Sequence, residues 1–245
     1  NPEIGPQNNT MNLIGVVEDI NKRQNIAHVV VLGNITANGK FDEFIWAQEI
    51  LDELTVPYFV VGGEKDYLLS EGKGSEISLL WGDDKNILNE KNYSLISINT
   101  FLPDFPSKKY IDAETVSWLG DNLSNQKISR LLTFSFLPIR LAENSQKFFE
   151  MNLNKKVFSF VGRDDKPGKD KSTFEGLYVN RKDGWGYLLV SMDKDSIQIR
   201  KILSEEIKKK VKPEIVKTSF AKPVLLESNK PVGFIQPEVN YGPST

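Results

Sequence analysis

Four short segments of this 245-residue chain gather residue types that could do chemistry. They are Gly33-Asn34-Ile35-Thr36, Gly63-Glu64-Lys65-Asp66, Ser135-Phe136-Leu137-Pro138 and Gly162-Arg163-Asp164-Asp165. Each follows or ends an apolar run, so each should lie at the carboxyl end of a buried strand, where open α/β sheets bind their ligands. The carboxylates Glu64, Asp164 and Asp165 are hard oxygen donors, suited at best to Mg, Ca or Mn ions. Lys65 and Arg163 are fixed cations with Glu64, Asp66, Asp164 and Asp165 beside them. They read in one of three ways. Ion pairs could tie the strand-end loops together, or the cations and the amides near Gly33 and Gly63 could hold a phosphate or carboxylate. The plainest reading keeps them as solvated loop charges of small individual effect.

Composition removes much other chemistry. The chain has no Cys and one His, which excludes disulfides, thiolate metal sites, cysteine nucleophiles and any device that needs two imidazoles. His28 stands at the start of an apolar run, away from the ligand end, and reads as a strand-entry residue. Ser135 has no imidazole near it in sequence, so serine-hydrolase chemistry is not supported. The 31 basic and 33 acidic residues create no sequence-wide positive field, so nucleic acid is not an indicated partner. No apolar run approaches the ~18–20 residues of a membrane helix. The chain begins Asn1-Pro2-Glu3-Ile4-Gly5-Pro6, without an initiating Met, and reads as preceded by something removed. With the absent Cys, this points to an extracytoplasmic place, periplasmic or on a bacterial surface, with room for a lipid anchor upstream.

The elements that must position these residues follow from the apolar periodicity. Leu13, Val16, Val17 and Ile20 mark a helix, His28 to Leu32 a buried strand, Phe44, Ala47, Leu51 and Leu54 a second helix, and Pro57 to Val61 a second strand. This β-α-β order implies parallel strands. Tyr67 to Lys91, with its glycines and charges, reads mainly as irregular loop. Tyr93 to Ile98 reads as a strand. Asp112 is a candidate N-cap, with Ile111 and Val116 as a hydrophobic staple, for a helix carrying Leu119 and Leu123. Leu131 to Phe136 and Val157 to Val161 read as further buried strands. Phe174 to Val179, Tyr187 to Met192 and Ile197 to Ile202 read as an antiparallel meander. Five of the twelve prolines fall from Pro213 onward, which implies an extended tail. The domain reading is therefore 1–204 for an α/β domain and 205–245 for a Pro-rich segment.

The order and spacing of the four segments resemble the calcineurin-like metallophosphoesterase family, whose motifs are GD, GNH(D/E), a His in a His-x-Pro setting, and GHxH. The resemblance runs from about Leu13 to Leu203. It implies a four-layer sandwich, two mixed sheets flanked by helices, with the family's first strand apparently missing from this chain. It also implies a metal site whose ligands are nearly all replaced. The bridging aspartate looks like Asn34, a neutral amide. The Asn and His of the second motif look like Glu64 and Lys65. The His before x-Pro looks like Phe136, which has no donor atom, and the two His of GHxH look like Arg163 and Asp165. A lysine repels a metal ion, and an arginine offers no lone pair.

Metal-assisted phosphoester hydrolysis needs cations to activate water and to neutralise charge on the phosphate oxygens. The resemblance therefore implies a pseudoenzyme without a cofactor, acting as a scaffold or binding component. The alternative is a divergent phosphoesterase with an oxygen-ligated cation on Glu64, Asp164 and Asp165. A protein partner is expected, with tail 213–245 as the candidate contact, since extended apolar segments such as Val224-Leu225-Leu226 can add to a neighbour's sheet.

Overall fold

The computed structural model describes residues 2–5, 9–90, 93–101, 111–123, 129–137, 139, 156–162, 175–178, 185–192, 197–203 and 207. The first helix, α1 (Asn9–Asn21), buries Leu13, Val16, Val17 and Ile20, the stripe expected from their spacing. Strand β1 (Val29–Leu32), helix α2 (Phe41–Leu51) and strand β2 (Tyr58–Val61) form the β-α-β unit, with the strands parallel and in register from Val29↔Tyr58 to Leu32↔Val61. Helix α2 turns Phe44, Ala47 and Leu51 inward. Its buried Glu43 reaches back to accept the Asn38 N–H at 2.8 Å and the Asn38 side-chain amide at 2.7 Å.

The stretch after Gly63 departs from the expected loop. It holds helix α3 (Glu64–Leu68), helix α4 (Ser75–Trp81) and strand β3 (Lys85–Asn89). The glycines there punctuate short elements instead of dissolving them. Gly74 lies at φ +92 against the Tyr67 ring, where a Cβ would sit 2.1 Å from a ring carbon. Glu76 accepts the Ser70 hydroxyl at 3.0 Å and the Gly72 N–H at 2.8 Å, so buried hydrogen bonds order the turn. β3 is half-exposed and is made a strand by its antiparallel pairing with β4 (Ser94–Ile98).

A five-stranded sheet runs β3-β4-β5-β6-β7, where β5 is Arg130–Ser135, β6 is Lys156–Val161 and β7 is Glu175–Tyr178. Strands β4 to β7 are mutually parallel. β7 corrects the expected meander: it pairs with β6, and only β8 (Gly186–Met192) and β9 (Ile197–Leu203) form the antiparallel hairpin. Three short strands with turn signals between them look alike in sequence, and the choice of partner is a tertiary matter. Helix α5 (Ala113–Leu123) covers one face of the large sheet. Val116, Leu119 and Leu123 pack with Ile96, Ile98, Leu131 and Val157. Asp112 caps it as expected, accepting the Thr115 N–H at 2.6 Å and hydroxyl at 2.7 Å, and Ile111 joins Val116 in the same cluster.

The described residues thus make an α/β fold with three sheets and five helices. One core cluster joins Leu13 and Val17 of α1, Val31, Val60, Phe44 and Ile77. Another packs Val16 and Ile20 against Ile202 and Ile207. Beside it Asp19, 3% exposed, accepts the Tyr187 hydroxyl at 2.6 Å and the Arg23 guanidinium at 2.7 Å, which fastens α1 to β8. Of segment 205–245 only Ile207 is described, and the candidate tail contact 213–245 lies outside the described residues. No helix among the described residues is long and apolar enough to cross a membrane.

Candidate functional site

The carboxyl ends of four strands converge through close backbone contacts. Beyond β1, Gly33 takes φ +99 and donates its N–H to Val61 at 2.9 Å. Beyond β2, a Cβ on Gly63 would lie 2.3 Å from Asn34 Oδ1 and 2.5 Å from Asn34 N. After β6, Gly162 donates its N–H to Ser135 at 3.0 Å, and a Cβ there would lie 2.9 Å from Gly33 Cα. Glycine is needed at Gly63 and Gly162 because backbone approaches backbone, and at Gly33 because of its positive φ. The described residues of the four segments, Gly162 alone in the last of them, are therefore neighbours.

Their side chains do three different things. Asn34, 9% exposed, accepts the Lys65 N–H on Oδ1 at 3.1 Å and donates from Nδ2 to Glu3 Oε1 at 3.4 Å. Lys65 Nζ lies 3.2 Å from the same Glu3 oxygen. Among the described residues, Lys65 pairs with Glu3 and not with Asp66. Glu64 opens α3 and is half-buried.

Asp66, which one of the three readings set among the ion-pair partners of the cations, is a fully buried staple. It accepts the N–H groups of Ile35 at 2.8 Å, Thr36 at 2.9 Å and Gly63 at 2.9 Å, and the Thr36 hydroxyl at 2.7 Å. It holds the β1 and β2 end loops together by filling donors that the strands leave unpaired. Burial pushes its carboxyl up to about 6, against the pull of those donors.

Phe136 is 2% exposed and packs in the core cluster with Ile35 and Phe101. The Ser135 hydroxyl is buried and donates to the Leu137 carbonyl at 2.8 Å, so no poised nucleophile stands there. Arg163, Asp164 and Asp165 lie outside the described residues. Among the described residues no group of three or more His, Cys, Asp or Glu is arranged to hold a metal ion. His28 stands just before β1, at the opposite end of the strand from Gly33, with its ring against Phe59 at 6.3 Å and Nε2 3.7 Å from Glu90.

Sequence reasoning missed Glu3. The residue is 8% exposed and sits at φ +48. Its N–H donates to Asn34 at 3.0 Å, the Ile4 N–H to Ile35 at 2.7 Å, and the Ala37 N–H to Ile4 at 2.8 Å. Ile4 is completely buried and forms one parallel bridge with Thr36. The one available signal was Ile4, an apolar residue inside an otherwise Pro- and Gly-rich stretch.

The described part of the site holds an amide and an ammonium in contact with the Glu3 carboxylate, and an Asp66 carboxylate taken up by main-chain N–H groups and the Thr36 hydroxyl. That arrangement fixes loop geometry and binds a carboxylate, and it presents no activated nucleophile. A scan of the sequence against protein-family models found no match, and neither did a search of the curated proteins.

Proposed function

We propose that this chain is a degenerate calcineurin-like metallophosphoesterase with the family's four-layer sandwich, acting as a non-catalytic scaffold or binding component of an assembly. The observation that carries the reading is the bonding of Asn34, Lys65 and Glu3 at the converging strand ends. Where the resemblance would put a bridging carboxylate there is a neutral amide, and where it would put an imidazole there is an ammonium already paired with Glu3. A fixed cation beside the metal position costs a dinuclear centre its main electrostatic gain. The aromatic side chain of Phe136, buried in the core, supports the same reading, since it brings no donor atom to the site.

Metal analysis and turnover test the proposal together. The purified protein, incubated with Mn²⁺ and dialysed, is expected to retain no stoichiometric metal and to leave a chromogenic phosphodiester unhydrolysed. Stoichiometric metal together with turnover that Asp165→Ala abolishes would establish the oxygen-ligated hydrolase instead.

A further inference from the structure

The Glu3 carboxylate is held as a bound anion would be. It comes to the strand ends from a separate segment, its side chain is 10% exposed, and a single oxygen takes both the Lys65 ammonium at 3.2 Å and the Asn34 amide at 3.4 Å. Charge-assisted contacts of this kind are stronger than neutral ones and are built around a carboxylate. The Glu3 backbone lies in the left-handed region at φ +48, which an L-residue enters only where its surroundings over-determine it. Those surroundings include the three main-chain hydrogen bonds of Glu3 and Ile4 and the contact with Lys65.

We infer that Lys65 and Asn34 form a carboxylate-binding site whose resident occupant is Glu3, and that an acidic side chain of a partner polypeptide exchanges with it. The inference rests on the binding-component reading and supplies its ligand chemistry. Lys65 remains reachable, with its side chain 37% exposed, so an incoming group can meet the ammonium before Glu3 leaves. Local charge selects the class of ligand. The buried Asp66 carboxylate, bonded to the Ile35 and Gly63 N–H groups, lies by the Asn34–Ile35 backbone, and exchanging one monoanion for another leaves the balance unchanged. A doubly charged phosphate would add negative charge near this carboxylate. Exchange also has a structural consequence: an incoming carboxylate that displaces Glu3 loosens segment 2–5, which links binding to the backbone bridge at Ile4 and Thr36.

Chemical rescue tests the site. Glu3→Gly removes the carboxylate, and glycine adopts φ +48 freely, so the main-chain bonds persist. Thermal melting is followed with sodium acetate against sodium chloride at matched ionic strength, and with sodium phosphate in parallel. The variant is expected to melt below the wild type, and about 100 mM acetate should raise its midpoint by about 3 °C. Phosphate should raise it less, and the Glu3→Gly, Lys65→Met double variant should not respond to acetate. No response in Glu3→Gly, an equal response in the double variant, or a larger response to phosphate would each overturn the inference. If Glu3→Gly does not fold, Glu3→Gln is read in the same way. In the wild type, acetate should then shift the amide resonances of Lys65 and the Asn34 side chain, and unmoved resonances would also overturn it. Metal-dependent turnover would sink the non-catalytic reading, whereas failed rescue sinks only the carboxylate site, so the two failures are distinguishable.

Discussion

Asp66→Asn probes the joint between the two strand-end loops. The native carboxylate receives four donors, the N–H groups of Ile35, Thr36 and Gly63 and the Thr36 hydroxyl, all within 2.9 Å. Asparagine offers a single acceptor oxygen. If that oxygen faces Thr36, it keeps a 3.1 Å contact from the Ile35 N–H, while the Gly63 N–H confronts an NH₂ and the 2.8 Å contact of Ile35 is lost. One hydrogen bond to a charged group is then lost outright, at about 1.5–3 kcal/mol, and the buried Gly63 donor left unsatisfied adds about 1–3 kcal/mol. Part returns because no charge is buried. The carboxyl is raised from 3.8 to about 6 even with those donors in place, so burial of the charge outweighs their pull. The expected net loss at pH 7 is about 2 kcal/mol, measured by urea unfolding.

The pH dependence supplies the stronger test. Because the folded value is raised, Asp66 contributes stability that is fully present below 3.8 and is lost as pH rises through about 6. The wild type should therefore gain on the variant by up to about 3 kcal/mol between pH 7 and pH 4, so the gap widens toward acid. A gap that stays constant or narrows would show that the four donors outweigh burial. A variant as stable as the wild type at pH 7 would refute the staple itself.

Gly63→Ala drives a methyl into Asn34, where the nearest atoms lie 2.3 and 2.5 Å from its position. It should cost at least about 2 kcal/mol in urea unfolding, since backbone N and C atoms cannot yield as a flexible side chain would; a loss below about 0.5 kcal/mol would disprove the close approach. Asp112→Ala removes the cap of α5 and should cost about 1 kcal/mol at pH 7. Burial works to raise the Asp112 carboxyl, but the Thr115 N–H and hydroxyl and the charge of Lys85 hold it below its usual value. Its contribution is therefore present above the ordinary carboxylate range and is lost as pH falls through the lowered folded value, so the wild-type and variant unfolding curves should converge in acid.

Much of the fold was legible because burial imposes a period. The 3.6-residue stripe of Leu13, Val16, Val17 and Ile20 has one efficient way to leave water, and α1 takes it. The β-branched runs of β1 and β2 and the Asp112 cap are local in the same sense, because the residues that make them are the residues that show them. Gly63 and Gly162 marked the strand ends for a similar reason, since close backbone approach excludes a Cβ, and Gly33 did so through its positive φ. The segment after Gly63 was read as loop because its order comes from Glu76, Ser70 and the Tyr67 ring, contacts that have no period.

Residue types at the strand ends determined the site's chemical character, an amide and an ammonium with carboxylates nearby, and the absence of imidazoles there. Tertiary structure alone decided which carboxylate does what. Asp66, adjacent to Lys65 in sequence, turns inward to gather donors from another loop, while Glu3, 62 positions away from Lys65, reaches its ammonium. Partner choice among charges depends on where the backbone brings them and on which unpaired N–H groups need an acceptor. A linear pattern of charged residues carries neither.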